Sequence, residues 1–165
     1  MSSASALARE IVRAAAWQGA MVATAESCTG GLAAAAITSI AGSSQAFDRG
    51  FVTYSDNAKM QMLGVSAEML KRHGAVSRET AAAMATGALK NSSASIAVSI
   101  TGIAGPGGGS AEKPVGLVWF GLAKKGRRVV TLEYRFGAQS RARIRALSVV
   151  QALELLRDGL LLRAG

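Results

Sequence analysis

Two short segments of the 165-residue chain set hydroxyl side chains beside glycines: Thr24-Ala25-Glu26-Ser27-Cys28-Thr29-Gly30-Gly31 and Thr101-Gly102-Ile103-Ala104-Gly105-Pro106-Gly107-Gly108-Gly109. Each follows an apolar run of strand type, 21–25 and 95–101. In open α/β sheets, ligands bind where strands end and loops lead into helices. Free amides at a helix start suit an anion or a developing oxyanion, and glycine lets the backbone approach closely. Ser27 is therefore a candidate nucleophile. Thr29, Gly30, Gly31, Thr101, Gly102 and Gly105 are candidate substrate contacts. The same pattern also describes a helix cap, so Ser27 and Thr29 read equally well as caps of the helix that follows. Neither loop is a G-x-G-x-x-G or G-x-x-x-x-G-K-[ST] nucleotide fingerprint.

A serine nucleophile needs a base. His73, the one histidine, sits between Arg72 and Gly74 at an expected helix end, where a solvated side chain is the simpler reading and a Ser–His–Asp triad is not. A lysine can take the role when desolvation or nearby positive charge lowers its pKa. Lys59 is the best placed, following Tyr54-Ser55-Asp56-Asn57-Ala58 where a strand enters a short helix. Tyr54 could hold or pass a proton there. An ordinary surface lysine fits the same spacing. Cys28, the one cysteine, is a second nucleophile in principle, although small buried cysteines are commoner. Arg141 and Arg145 are four apart and share a helix face, with Arg143 turned away. Two guanidiniums so placed can clamp a phosphate or form part of a solvated surface.

A lone cysteine excludes a disulfide within the chain, and one cysteine with one histidine leaves a protein zinc site short of ligands. No metal and no cofactor is expected. The net charge is +9, but residues 1–112 carry 8 Lys/Arg and 7 Asp/Glu, whereas residues 113–165 carry 11 and 3. A basic C-terminal third can hold phosphodiesters or one small anionic ligand. Without interleaved aromatics for base stacking, nucleic acid is the weaker reading. No apolar run reaches the length of a membrane span, and residues 1–13 do not look like a signal peptide. A cytoplasmic location is expected.

These residues need a scaffold that brings strand ends together. Half the residues are hydrophobic and 18% are charged, an ordinary globular composition. A single domain over 1–165 is expected. Leu7, Ile11 and Ala15 at helical spacing predict a helix over 3–18, capped by Ser2, Ser3 or Ser5 and ended by Gly19. A buried strand over 21–25 and an Ala-rich helix over 30–40 follow, the helix stopping at Gly42. Residues 47–54 read as a strand. Asp56 or Asn57 caps a helix through Met62, Ser66 a second, and Ser77 a third running to Lys90. After the buried strand at 95–101 come two strands, 116–123 and 128–136, joined by a Lys124-Lys125-Gly126-Arg127 hairpin turn. A long helix over 140–162, with a stripe including Ile144, Leu147, Val150, Leu153 and Leu156, ends the chain. The fold expected is α/β: a three-layer α/β/α sandwich around a mixed, mostly parallel sheet of five to six strands.

Taken in order, the motifs resemble a known family. Thr24 to Gly31, Ala41-Gly42-Ser43-Ser44, Gly50-Phe51-Val52-Thr53-Tyr54-Ser55, Asn57-Ala58-Lys59, His73-Gly74-Ala75-Val76-Ser77, Thr101 to Pro106 and Lys113-Pro114-Val115-Gly116 follow the pattern of the CinA C-terminal domain, the nicotinamide-nucleotide amidohydrolases. The resemblance covers about residues 5–160. It implies hydrolysis of the carboxamide of nicotinamide mononucleotide to nicotinate mononucleotide and ammonia, by a metal-free Ser/Lys dyad. Carried over, the serine is Ser27, the lysine Lys59 and the tyrosine Tyr54. It also implies a homo-oligomer, most simply a dimer. Longer members carry a further N-terminal domain, which is not in this sequence. The family often has Gly-Asp-Arg before its last helix, where this chain has Gln139-Ser140-Arg141. The competing class is a non-catalytic nucleotide- or DNA-associated module.

Overall fold

The computed structural model describes residues 2–162. Five strands form one sheet in the order β2-β1-β3-β4-β5: β1 Val22–Glu26, β2 Phe47–Val52, β3 Ile96–Gly102, β4 Leu117–Lys124 and β5 Val130–Arg135. The β1–β2 and β1–β3 ladders are parallel, and β3–β4 and β4–β5 are antiparallel. Every residue of β1 is buried, because the strand is flanked on both edges and covered on both faces.

Six helices supply the cover: α1 Ala4–Gln18, α2 Leu32–Thr38, α3 Asp56–Leu63, α4 Ala67–His73, α5 Arg78–Lys90 and α6 Arg141–Leu161. Helices α1, α2 and α6 pack together on one face of the sheet, and α5 lies across the other with α3 and α4 outside it. Two apolar cores result, one under α1 and α6 around Leu7, Ile11, Ile100 and Leu153, the other under α5 around Met84, Ala97 and Leu63. This is the expected three-layer α/β/α arrangement, with five strands. No helix among the described residues is long and apolar enough to cross a membrane.

The caps follow side-chain chemistry. Ser3, Ser66, Ser77 and Ser140 each accept a backbone N–H three residues on, satisfying one of the orphan donors of a first turn. At α3 the cap is Ser55, whose Oγ accepts from Ala58 N at 3.0 Å, and not Asp56 or Asn57. Asp56 instead lies in the first turn, where its charge favours the helix N-terminus. Helix α2 is shorter than its alanine content predicts. It spans Leu32–Thr38, because Thr38 and Ser39 turn their hydroxyls back onto carbonyls of the last turn. Gly42 then opens a short 3₁₀ turn, Ser43–Gln45. On α6 the buried face runs through Ile144, Ser148, Ala152, Leu156 and Gly159, while Leu147 and Val150 are half-buried.

Parallel pairing decides where the loops go. Since β2, β1 and β3 run the same way, their C-terminal ends meet at one edge of the sheet. That edge receives three segments: 53–55 after β2, 27–31 after β1 and 103–116 after β3.

Candidate active site

Ser27 follows the last residue of β1 and its N–H donates to Ile100 O of β3 at 2.9 Å. The turn it opens bends sharply into α2. Gly30 N–H donates to Ser27 O at 3.1 Å, and Gly30 and Gly31 take φ of 59° and 102°, a region L side chains rarely enter. Gly31 is the N-cap residue of α2, with no side-chain cap of its own.

Capping falls instead to Glu26, a carboxylate that is 1% exposed. Its Oε1 accepts from Ala33 N at 2.8 Å and from Thr29 Oγ1 at 2.7 Å, and its Oε2 accepts from Ala34 N at 3.0 Å. With the Thr24 hydroxyl also donating to Oε2 at 3.4 Å, the buried carboxylate is satisfied by two helix amides and two hydroxyls, with the N-terminal dipole of α2 in its favour. The consequence for Ser27 is direct. Its hydroxyl is not consumed as a cap, and the Thr29 hydroxyl is spent on Glu26.

The Ser27 hydroxyl meets Lys59. The Nζ of Lys59 lies 3.1 Å from Ser27 Oγ, 2.9 Å from Thr53 O and 3.2 Å from Tyr54 O. Lys59 stands in the first turn of α3, on the opposite face of the sheet from α2, and reaches back across the strand ends. It is 1% exposed, so the reading as an ordinary surface lysine does not describe it. None of its three hydrogen-bond partners is a carboxylate. Burial therefore pushes its pKa below the ordinary 10.5, more strongly than Asp56 pulls it up. A neutral amine has two N–H donors and one lone pair. If the two carbonyls take the donors, the lone pair is left for the Ser27 O–H, the arrangement a general base requires.

The other expected residues surround this pair. Tyr54 touches Lys59 through its carbonyl, while its exposed ring sends the hydroxyl to Arg141 Nη2, which donates to it at 3.0 Å. Arg141 Nη1 donates to Gly105 O at 2.8 Å, joining the β2 and β3 loops. Arg145 Nε donates to Cys28 O at 3.1 Å and its Nη2 to Thr29 O at 3.3 Å. Both arginines thus face the site loops, as their spacing of four allows, and Arg143 is exposed. The Thr101 hydroxyl, buried, donates to Ala75 O at 2.8 Å. Gly102 ends β3 opposite Val118, and a Cβ there would meet Val118 Cγ2 at 2.7 Å. Where the family pattern has aspartate, Ser140 caps α6 through a bond from Arg143 N at 3.2 Å, so the substitution keeps an N-cap residue.

His73 lies at the end of α4 with its Nδ1 3.6 Å from Glu79 Oε2, and it makes no contact with Ser27. The Cys28 thiol is buried, and desolvation pushes its pKa up from 9.0 to about 11, which keeps it protonated and poorly nucleophilic at neutral pH. Among the described residues no group of three or more His, Cys, Asp or Glu could hold a metal ion.

Two features escaped sequence reasoning. Glu26 has a visible signal, an acid ending an apolar strand three residues before a threonine and just ahead of two glycines. Thr53 has none: it offers its carbonyl to Lys59, and its fully buried Oγ1 has no hydrogen-bond partner among the described residues.

A three-layer α/β/α fold thus brings a serine hydroxyl and a buried lysine amine together at converging strand ends. The family model of the CinA C-terminal domain matches residues 4–160, and the chain belongs to that family. It is 51% identical over 150 residues to the nicotinamide-nucleotide amidohydrolase PncC of Escherichia coli strain K12, covering 91% of this chain and 90% of that protein. A relative from Caldicellulosiruptor bescii, named as a competence-damage inducible protein, is 54% identical over 136 residues. That match covers 82% of this chain, which spans only a third of the longer protein. Among solved structures, the competence/damage inducible protein CihA from Agrobacterium tumefaciens superposes with a TM-score of 0.94 at 54% identity, covering 97% of this chain and 96% of that one.

Proposed function

We propose that this protein is a nicotinamide-nucleotide amidohydrolase that converts nicotinamide mononucleotide to nicotinate mononucleotide and ammonia, with Ser27 as nucleophile and Lys59 as base. The observation that carries the reading is the buried Nζ–Oγ contact of 3.1 Å between Lys59 and Ser27. The PncC name of a relative matched over nine tenths of both chains supplies the substrate class.

Neutral Lys59 takes the Ser27 proton as Oγ bonds to the carboxamide carbon, and the carbonyl oxygen becomes an oxyanion. Backbone N–H groups of the glycine-bearing loops stabilise it, by about 3 kcal/mol per donor. The C–N bond then breaks. The Lys59 ammonium, or the Tyr54 hydroxyl, gives the leaving nitrogen its proton and ammonia departs, leaving an ester on Ser27. Water attacks that ester, Lys59 removes its proton, and the returning proton restores the Ser27 hydroxyl as nicotinate mononucleotide leaves. No step calls for a metal or a cofactor. Exposed Arg141, at the N-terminus of α6, is the cation offered to the substrate phosphate, and Thr29–Gly31 and 101–105 are the loops that flank the carboxamide.

The reaction returns the pyridine mononucleotide to its acid form, a recycling step. On this reading residues 1–165 work as one cytoplasmic domain, as a dimer in the simplest assembly. The test is ammonia and nicotinate mononucleotide release by purified protein, with and without a chelator. Turnover unaffected by chelator is the expected result. No turnover together with salt-sensitive DNA binding would favour a nucleic-acid module instead.

A further inference from the structure

Arg145 shares a helix face with Arg141, a placement suited to a phosphate, yet the structure gives its guanidinium other work. Its Nε and Nη2 grip the carbonyls of Cys28 and Thr29 in the turn that Ser27 opens. In a trans peptide the C=O and the following N–H point in opposite directions. Drawing the Cys28 carbonyl toward α6 therefore turns the Thr29 N–H away from α6.

The amides of this turn can be accounted for one by one. Ser27 N–H goes to Ile100 O, Gly30 N–H to Ser27 O, and Leu32 N–H to Thr29 O. Ala33 and Ala34 give theirs to Glu26. Among the described residues the amides of Thr29 and Gly31 are left without an acceptor, and that of Cys28 faces its own thiol. Thr29 is the one whose peptide Arg145 holds. Glu26 gathers donors on one side of the turn and Arg145 gathers acceptors on the other, so the two opposite charges fix the backbone between them.

We propose that Arg145 is a positioning residue for the amide hydrolysis, acting through the Cys28 and Thr29 carbonyls to fix the turn that carries Ser27 and its free amides, and not a ligand of the substrate phosphate. This rests on the Ser27 reaction proposed above. A preorganised donor is worth more than a mobile one because it needs no reorganisation as charge develops.

The experiment compares Arg145→Ala and Arg145→Lys with the parent protein in two assays. The first is ammonia release from nicotinamide mononucleotide and from nicotinamide riboside, which has no phosphate. The second is labelling of Ser27 by an alkyl fluorophosphonate, followed by intact mass. There Oγ bonds to phosphorus, fluoride leaves, the proton passes to Lys59, and the P=O oxygen occupies the oxyanion position. Arg145→Ala is expected to lower kcat about 10- to 100-fold for both substrates with KM nearly unchanged, and to slow labelling to a similar degree. Arg145→Lys, keeping the charge and one donation, falls between. A rise in KM confined to the mononucleotide, with labelling unchanged, would overturn the proposal. Should Arg145→Ala not fold, Arg145→Lys and Arg145→Gln carry the same comparison. Brisk labelling of the parent, slowed in the variants, without turnover of either substrate would remove the nicotinamide reading and leave the role of Arg145 standing. A parent protein that is not labelled at all would overturn it.

Discussion

Lys59 Nζ and Ser27 Oγ are 32 positions apart in the chain and 3.1 Å apart in the fold. The contact crosses the sheet edge: Ser27 leads into α2 on one face, and Lys59 comes from α3 on the other. Strand β1 is common to both, since it carries Ser27 at its end and pairs with β2, which delivers Thr53 and Tyr54 and then α3. Most of the predictions concern this junction.

The first is a pH dependence. On the proposed mechanism Lys59 must be neutral to accept the Ser27 proton, and its burial lowers its pKa from the ordinary 10.5. kcat/KM should therefore rise with pH through an apparent pKa below 10.5, activity being lost as pH falls through it. The same shift bears on stability. Between the folded and unfolded pKa values the unfolded chain holds the extra proton, so stability rises with pH across that window. Below it, the full cost of burying the ammonium is present. Lys59→Met should be inactive, and its stability relative to the parent should decline as pH is raised toward 10.5. Denaturant melts at pH 7 and 9.5 measure this, and a constant difference would contradict it.

Glu26 should matter for stability as much as for geometry. Glu26→Ala leaves two α2 amides and the Thr24 and Thr29 hydroxyls without their acceptor, at a cost of about 3 kcal/mol. Glu26→Gln keeps the shape and one acceptor oxygen but turns an amide group toward donors, and should cost less. Thermal or urea melts decide the order. Equal stability of Glu26→Ala and the parent would mean the carboxylate does not hold the turn.

Thr53 offers a prediction of opposite sign. Among the described residues its fully buried hydroxyl has no partner, whereas its carbonyl, which Lys59 uses, is part of the backbone. Replacing an unsatisfied buried hydroxyl by a methyl of similar shape removes a desolvation cost of roughly 1 kcal/mol or more. Thr53→Val should be at least as stable as the parent and retain turnover within a few-fold. A large fall in kcat would assign the hydroxyl a part in the reaction.

Much of this layout was legible in the sequence, for reasons that are local. Apolar runs of strand length, serines three residues before a free helix amide, and glycines at turns announced nearly every element. The two hydroxyl-and-glycine loops both follow the C-terminal ends of parallel strands, β1 and β3. What local pattern could not decide was Ser27 as cap or nucleophile, and Lys59 as surface residue or base. Both depend on groups brought in from elsewhere: the carboxylate of Glu26 takes the capping role, and the parallel β1–β2 pairing buries Lys59 against Ser27. Asp56 looked like the cap of α3 because its side chain is suited to capping, but the hydroxyl of Ser55, one residue earlier, holds the position. The shared face of Arg141 and Arg145 followed from spacing alone. That one grips the turn of Ser27 while the other bridges Tyr54 and Gly105 follows from the approach of α6 to the strand ends.

Ser27 is the group on which the proposed chemistry turns. Ammonia release from nicotinamide mononucleotide by Ser27→Ala should fall by about 10³-fold or more relative to the parent, with an unchanged melting temperature, as removal of a covalent nucleophile requires. Turnover by Ser27→Ala within tenfold of the parent would contradict the serine–lysine mechanism.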